Sequence, residues 1–154
     1  MIRYARQSDI DGINNIRHQV HMVHFNGRPD IFNSDFSQLK DRVNTFFSSQ
    51  EFDVIVYEEN GVICGMAVLE YIFKPANLYR TEIKYCNIME FGVDIEHRRK
   101  GIGTELFRFI KTQAKNKGYK RLELDVWSFN ENAVRFYESV GLKDYRRYME
   151  FNIL

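Results

Sequence analysis

A short run of cations and glycines, Arg98-Arg99-Lys100-Gly101-Ile102-Gly103-Thr104, is the part of the sequence best suited to bind an anion. It follows an extended apolar segment that ends at Val93 and precedes a segment with helical apolar spacing. A helix N-terminus exposes unpaired backbone N–H groups and the positive end of the helix dipole, and glycines let a ligand approach the backbone. The run therefore predicts a phosphate cradle, with a glycine-eased turn and solvated charges as the alternative.

Two nucleotide-binding motifs do not fit this run. A Rossmann fingerprint needs G-x-G-x-x-G after the first strand, whereas Leu106 occupies the third glycine position and the run lies far along the chain. A Walker A loop needs a lysine before its Ser or Thr, and Gly103-Thr104-Glu105 has none. Dinucleotides and ATP are therefore disfavoured as ligands.

Two motifs in the second half of the chain have a shared order and spacing. The first is Arg98-x-x-Gly101-x-Gly103, and the second is Asn130-x-x-Ala133-x-x-x-Tyr137-x-x-x-Gly141. Together they resemble the GCN5-related N-acetyltransferase (GNAT) family, although Leu142 stands where the family has a final Phe. The resemblance is firm from about Asp53 to the C-terminus and rests on element order alone before that.

The resemblance implies both a fold and a function. We expect the α/β acyl-CoA N-acyltransferase (GNAT) fold, a single domain over residues 1–154 with a mixed, mostly antiparallel sheet flanked by helices. We expect an N-acetyltransferase that moves an acetyl group from acetyl-CoA, its cosubstrate, to a primary amine of a small molecule or peptide by direct attack in a ternary complex. The alternative is a non-catalytic acyl-CoA-binding regulatory module.

The resemblance also implies which residues bind acetyl-CoA. In the family, the loop amides bind the CoA pyrophosphate, the preceding strand hydrogen-bonds the pantetheine arm, and the next strand splays away to make room. The residues expected to bind the cofactor are Phe91, Gly92, Val93, Arg98, Arg99, Lys100, Gly101, Ile102, Gly103, Thr104 and Asn130. Asn130 is also expected to cap the following helix. No residue is expected to bind a metal.

Two residues are expected to act in catalysis. An alkyl ammonium with a pKa of about 10.4 must lose a proton before it attacks, at a cost of about 4 to 5 kcal/mol at pH 7. Glu90 lies where many members of the family carry an acid, and we expect it to accept that proton. Tyr137 has the family's position for protonating the CoA thiolate, for which a hydrogen bond would suffice. A salt-bridged strand carboxylate and a core tyrosine are the respective alternatives.

Spacing predicts the elements that precede the loop. After a short strand at residues 2–5, a helix is expected to begin near Asp9 with Ser8 as its N-cap and to end at Gly27-Arg28-Pro29-Asp30. A second helix follows, with its apolar positions at Leu39, Val43, Phe46 and Phe47. Three antiparallel strands are then expected over residues 53–58, 62–71 and 82–93, the first two joined by a hairpin at Asn60-Gly61.

Beyond Val93 the expected order is helix, strand, helix, strand. Gly118 and Gly141 are placed to end the two helices, because a left-handed residue commonly follows a helix. The first of these strands is expected at residues 122–126, and a final strand around Tyr145 to Phe151. The final strands are candidate edges for a homodimer, which is common in the family.

Composition bounds the class of protein. A length of 154 residues fits one domain, and 44% apolar with 28% charged residues excludes a mostly disordered or fibrous chain. The N-terminus lacks the apolar core of a secretory signal, and no apolar run approaches the roughly 18 residues that span a bilayer. We therefore expect a cytoplasmic protein without a membrane partner. The wide spacing of Cys64 and Cys86 indicates buried thiols rather than a zinc site or a disulfide framework.

The net charge of +1 conceals a strong segregation. Residues 98–121 contain nine Lys or Arg and one acid, for a local charge of +8, which leaves −7 on the remainder. This concentration suits a multiply phosphorylated cofactor at the Arg98 loop. Acidic residues of the variable N-terminal region, Asp30, Asp35 and Asp41, slightly favour a cationic acceptor. A nucleic-acid partner is not expected, because no helix-turn-helix, zinc finger or aromatic-basic sheet motif is present.

Three histidines, His18, His21 and His24, repeat every three residues. On a helix they spread over about 120°, and no carboxylate is in register with all three. A metal site is therefore disfavoured, and we expect a polar helix face that could lie on the substrate side.

Overall fold

Five strands form one sheet in the computed structural model, which describes residues 1–154. The strands are β1 (Ile2–Tyr4), β2 (Phe52–Glu59), β3 (Val62–Lys74), β4 (Ile83–Val93) and β5 (Leu122–Glu123), and they lie in that order across the sheet. All neighbouring pairs are antiparallel except β4 and β5, which run parallel. The mixed, mostly antiparallel sheet expected from the sequence is thus confirmed.

Four α-helices flank the sheet: α1 (Ile10–Gly27), α2 (Ser37–Ser48), α3 (Ile102–Asn116) and α4 (Glu131–Ser139). α1 and α2 pack on one face, where Ile16 and Phe46 meet Val56 and Val68. α3 packs on the other face, with its buried side chains against Leu69. Successive residues of a strand point to opposite faces, so β2 and β3 supply both cores alternately. No helix of the chain has the length and apolar character needed to cross a membrane.

The hairpin between β2 and β3 confirms the prediction from Asn60-Gly61. Asn60 has a φ of 51° and Gly61 a φ of 81°. Positive φ at both central residues defines a turn whose twist matches that of the flanking strands, and Asn-Gly is the pair best suited to it. The predicted helix ends are confirmed as well, since Gly118 and Gly141 both adopt positive φ.

The start of α1 differs from the prediction. Ser8 lies inside a short 3₁₀ turn over Gln7–Asp9 and does not cap the helix. Asp9 instead accepts a hydrogen bond from the Arg6 backbone N–H at 2.7 Å and two from the Arg3 guanidinium at 2.7 and 3.0 Å. Asp9 therefore precedes α1 as its N-cap residue, but its carboxylate is engaged by Arg3 and Arg6 and makes no capping hydrogen bond to the helix.

The predicted strand over Tyr145 to Phe151 is wrong for this chain, and the strand predicted at 122–126 is shortened to Leu122–Glu123. Residues 143–154 have no regular secondary structure and make no backbone hydrogen bond to the sheet. Side chains alone attach this segment: the Tyr145 hydroxyl donates to Glu123, and Arg28 donates to Glu150. A strand forms only where it exchanges backbone hydrogen bonds with a neighbouring edge, and this segment makes none with β5 although Tyr145 contacts Glu123.

Candidate active site

One cleft of about 870 Å³ brings together the elements on which the sequence motifs lie. Its walls are the end of β4, the loop before α3, the first turn of α3, the segment after β5 and the buried side of α4. The C-terminal half of α1 also lines the cleft, through Val20, His21, Val23 and His24. At the end of this helix Gly27 packs so closely on the Phe129 ring that a Cβ would lie 2.1 Å from it. The two motifs that are far apart in sequence therefore share one cavity.

The loop before α3 has the backbone of an anion cradle. Gly101 is the N-cap of α3, with a φ of 81° and open space where a Cβ would be. Arg99 also has a positive φ of 66°, and the Arg98 Nε donates to the Val93 carbonyl at 3.2 Å, which holds the loop against the strand end. The first amides of α3 point out of the helix without intrahelical acceptors, so they are free to bind a phosphate.

The edge of β4 that faces the cleft is unpaired over its last residues. β4 and β5 pair only at Cys86 with Leu122 and at Asn87 with Glu123, after which residues 124–126 diverge and line the cleft. The backbone of Phe91, Gly92 and Val93 pairs with β3 on the opposite edge. Its cleft-facing groups are therefore available to a ligand that lies between the two strands, as expected for a pantetheine arm.

Glu90 lies in the cleft wall beside an irregularity of β4. The pairing of β3 with β4 shifts register so that Met89 has no partner. A bulge of this kind bends the strand and redirects its side chains. Both oxygens of Glu90 accept hydrogen bonds from Arg17, at 2.7 Å from Nε and 3.2 Å from Nη2. Glu90 is thus a salt-bridged carboxylate that still faces the cavity, with 27% of its side chain exposed.

Tyr137 projects from α4 into the same cleft. Its ring packs edge-on against Phe91 at 6.0 Å between centroids and beside Phe136 at 5.5 Å. Burial, with a smaller contribution from the charge of Asp125, raises the pKa of Tyr137 to about 12. The raised pKa keeps the Tyr137 hydroxyl protonated at neutral pH. Because this hydroxyl makes no hydrogen bond within the protein, it can donate one to a ligand atom.

Asn130, also in the cleft wall, accepts from the Ala133 N–H at 3.4 Å, which confirms its role as N-cap of α4.

The end of the cleft away from the Arg98 loop is aromatic. His24 and Trp127 line it, and Phe32, which is not a lining residue, packs edge-on against Trp127 at 5.3 Å and stacks on the His24 ring at 5.2 Å. Burial lowers the pKa of His24, with neighbouring His21 adding to the effect, so this imidazole is neutral at pH 7. The His21 ring is hydrogen-bonded to the Asn33 carbonyl. His18 packs on Phe36 but does not itself line the cleft. The three histidines therefore do not converge.

The acidic residues singled out from the N-terminal region do not line the cleft. Asp30 is paired with Arg28, and Asp35 accepts the backbone N–H of Ser37. The carboxylates that do line it are Glu90 and Asp125. Sequence reasoning missed Asp125 and Trp127, and the only signal was their position directly after the predicted fifth strand.

The fold and the cleft define the class of acyl-CoA-binding acetyltransferases. Residues 20–142 match the model of the Acetyltransferase (GNAT) family, and the chain belongs to that family. The chain is 24% identical over 102 residues to the [ribosomal protein bS18]-alanine N-acetyltransferase of Escherichia coli (strain K12), a match that covers 65% of this chain and 62% of that protein. The chain spans only 26 to 62% of the length of the curated relatives it matches.

Two solved structures have the same fold. A mutant of the BH1408 protein from Bacillus halodurans superposes with a TM-score of 0.96 at 29% identity, over 100% of this chain and 99% of that one. An aminoglycoside N-acetyltransferase in complex with CoA superposes with a TM-score of 0.74 at 13% identity, over 99% of this chain and 98% of that one. Family membership together with the free strand edge and the loop supports acyl-CoA binding in the cleft.

Proposed function

We propose that the protein is an N-acetyltransferase that transfers the acetyl group of acetyl-CoA to a primary amine by direct attack in a ternary complex. The observation that carries the proposal is the single cleft. It joins the loop before α3, which forms the anion cradle, to a chamber lined by Glu90, Asp125 and Trp127. Tyr137 lies between the two ends against Phe91. The cradle suits a pyrophosphate, and the chamber suits an organic cation.

The cofactor is proposed to lie along β4 with its pyrophosphate on the loop. The amides of residues 99–104 receive the phosphates, and Arg98, Arg99 and Lys100 add the local positive charge. The backbone edge of Phe91, Gly92 and Val93 hydrogen-bonds the pantetheine arm in the gap beside residues 124–126. An N–H of the same edge also stabilises the oxyanion that forms when the thioester is attacked.

Proton transfer is assigned to two side chains. Glu90 accepts one proton from the acceptor ammonium through a water, using the lone pairs that Arg17 leaves free, and the neutral amine then attacks the thioester carbon. As the N–C bond forms and the C–S bond breaks, the sulfur leaves with the electron pair. Tyr137 donates a hydrogen bond to this thiolate, and the second amine proton passes to solvent or to the thiolate, which then becomes the CoA thiol.

The acceptor is proposed to be a primary amine with an apolar or planar neighbour to its ammonium group. Asp125 and Glu90 supply negative charge to the chamber, and the ring of Trp127, against which Phe32 packs, supplies a surface for cation–π and stacking contacts. A peptide N-terminus or a small-molecule amine satisfies both requirements.

A non-catalytic acyl-CoA-binding module is the second candidate, because one specific observation favours it. Glu90 is engaged on both oxygens by Arg17, which is the arrangement of a structural ion pair. In that case the cleft would bind acetyl-CoA, and the Arg17–Glu90 pair would only join α1 to β4.

The two candidates are separated by thiol release from acetyl-CoA across a panel of amines, run beside direct measurement of CoA binding. The wild type is compared with Glu90→Gln and Tyr137→Phe, and with Tyr79→Phe as the matched control, since Tyr79 is fully solvent-exposed and outside the cleft. Acceptor-dependent release that falls in both cleft variants and not in Tyr79→Phe supports the enzyme. Tight CoA binding without acceptor-dependent release supports the module.

We also propose that the protein forms a homodimer through residues 145–154. Met149, Phe151 and Ile153 are apolar residues at alternate positions of this segment, each 88 to 92% exposed, and alternation of apolar and polar residues is typical of a strand sequence. The outer edge of β5 is likewise unpaired. One chain carries both the unpaired segment and the unpaired β5 edge. In a dimer with a two-fold axis, the segment of each copy can therefore pair with the β5 edge of the other.

A cytoplasmic location is proposed as well. It rests on the two cysteines, which are both buried and unbridged, as is usual in a reducing compartment.

A further inference from the structure

A thiol, an imidazole and a carboxylate converge at the edge of the sheet, beside the loop but apart from the residues assigned to acetyl-CoA. Glu59 is the last residue of β2, Cys64 lies near the start of β3, and His97 ends a 3₁₀ turn between β4 and the loop. One ligand atom from each lies within 4.8 Å of the other two. Sequence spacing gave no sign of this cluster, since the three residues come from three elements.

His97 has a carboxylate partner, as metal-binding histidines commonly do. Its Nδ1 lies 2.7 Å from Asp94 Oδ2, so Nε2 is the nitrogen that would coordinate an ion. Asp94 is only 8% exposed, and its other oxygen accepts the Gln19 amide at 2.7 Å. A carboxylate that fixes the second nitrogen of a histidine is the usual outer partner in zinc sites.

Cys64 supplies the ligand that distinguishes zinc from magnesium or calcium. The thiol is fully buried, and its Sγ donates a hydrogen bond to the Val62 carbonyl at 3.4 Å. Binding of a dication would release this proton, because the thiolate is the form that coordinates. Thiolate, carboxylate and neutral imidazole together neutralise the charge of Zn²⁺ and are all common zinc ligands.

The dimensions also suit zinc. Bond lengths of about 2.3 Å to sulfur and about 2.0 Å to nitrogen in a tetrahedral site place those two atoms roughly 3.5 Å apart. The three ligand atoms lie within 4.8 Å of one another, so their separations need to shrink by at most about 1.3 Å. Glu59 is exposed and at the end of its strand, so its side chain can move toward the ion, whereas any closer approach of sulfur and nitrogen would come from the partly exposed His97.

We propose that Glu59, Cys64 and His97 bind one Zn²⁺, with Asp94 as the outer partner of His97 and water in the fourth position. The ion would tie the β2–β3 hairpin to the residue that immediately precedes Arg98. Its role is structural: it fixes the entry to the anion-binding loop. The site does not depend on the proposed acetyl transfer.

The test measures metal directly. The full chain, prepared with zinc and freed of unbound metal, is expected to retain one zinc per chain by elemental analysis. Substitution with Co²⁺ is expected to give tetrahedral d–d bands and a near-ultraviolet sulfur-to-cobalt charge-transfer band. Cys64→Ser and His97→Gln should lose the zinc, and Cys64→Ser should also lose the charge-transfer band. Asp94→Asn should keep the stoichiometry but bind roughly 10- to 100-fold more weakly.

Cys86→Ser is the matched control, because Cys86 is the second fully buried thiol and lies outside the cluster. It should retain both zinc and the charge-transfer band. His97→Gln guards against misfolding as an explanation, since His97 is a partly exposed surface residue whose replacement should leave the circular dichroism spectrum unchanged. A wild type that retains no zinc, or zinc retained equally by Cys64→Ser, Cys86→Ser and His97→Gln, would overturn the proposal.

Discussion

Arg17 holds Glu90 through two hydrogen bonds, from Nε to Oε2 at 2.7 Å and from Nη2 to Oε1 at 3.2 Å. The guanidinium is 5% exposed, and its Nη1 also donates to Asn14 Oδ1 and to the Leu39 carbonyl, each at 2.8 Å. Arg17 thus joins α1, the start of α2 and β4 around one carboxylate. The Glu90 side chain cannot swing freely, so any proton it accepts must arrive along the direction left open to the cleft.

Replacing Arg17 with methionine is expected to lower the free energy of unfolding by about 2 to 3 kcal/mol, since it leaves a partly buried carboxylate without its partner. Urea denaturation measures this loss. Arg80→Met, at an exposed arginine without a side-chain hydrogen bond, should change stability by less than about 0.5 kcal/mol. Equal losses in the two variants would show that the pair contributes nothing specific.

Tyr137→Phe tests the proposed hydrogen bond to the leaving thiolate. A hydrogen bond to a charged group contributes about 1.5 to 3 kcal/mol, so kcat should fall roughly 10- to 150-fold while the affinity for CoA is retained. Because burial raises the pKa of Tyr137 to about 12, the rate should show no loss from its ionisation up to about pH 10. An alkaline decline below that pH that vanishes in Tyr137→Phe would contradict the assignment.

Asp9 gives a prediction about acid stability. Hydrogen bonding to Arg3, opposed by burial and aided by the Arg6 backbone, lowers the pKa of Asp9 in the folded state. A lowered folded pKa means that the stabilisation is complete above the unfolded value of about 3.9 and is lost as the pH falls through the folded value. Asp9→Asn should therefore cost about 1 to 3 kcal/mol at pH 7 and progressively less below pH 4. Denaturation of both proteins at pH 7 and pH 3 measures the difference, and a penalty independent of pH would refute it.

The C-terminal segment gives a prediction about assembly. Phe151→Glu together with Ile153→Glu should convert a dimer to a monomer in light scattering, because the charges would be buried between the two copies. Val62 and Phe73 are apolar residues elsewhere on the sheet that are 52% and 58% exposed. Val62→Glu together with Phe73→Glu should leave the dimer intact. A wild type that is monomeric at micromolar concentration would remove the proposal.

Local patterns predicted most of the fold. The Asn60-Gly61 hairpin and the ends of α3 and α4 are decided by φ preferences of a few adjacent residues, and these were read correctly. The strand-to-helix loop before α3 could be predicted for the same reason, since its glycines and cations are contiguous, while its binding of an anion stays a prediction. The strand predicted around residues 145–151 is wrong, because a strand requires an edge from elsewhere, which periodicity does not supply.

Sequence spacing could not predict the side-chain pairs on which the proposed catalytic and zinc sites rest. Arg17 lies 73 positions from Glu90, and Cys64 lies 33 positions from His97. Such pairs depend on how α1 crosses the sheet and on how the hairpin meets the turn after β4. Asp125 was missed because exposed acidic residues are common after strands and carry no sequence signal of their own. Only the divergence of the chain after β5 places Asp125 in the cleft.

Gly101 and Gly61 form a matched pair that separates backbone strain from ligand binding. Both have a φ of 81°, and at both positions a Cβ would meet nothing within 4 Å. Alanine in this left-handed conformation costs about 1 to 2 kcal/mol, so Gly101→Ala and Gly61→Ala should lose similar stability in urea.

Gly61 lies in the β2–β3 hairpin, outside the cleft, whereas Gly101 lines it. The space beside Gly101 is where a phosphate is proposed to approach the backbone, so its methyl group should weaken CoA binding at least 10-fold by calorimetry, and Gly61→Ala should leave CoA affinity unchanged. Equal CoA affinities in the two variants would mean that the pyrophosphate does not approach the α3 N-terminus at Gly101.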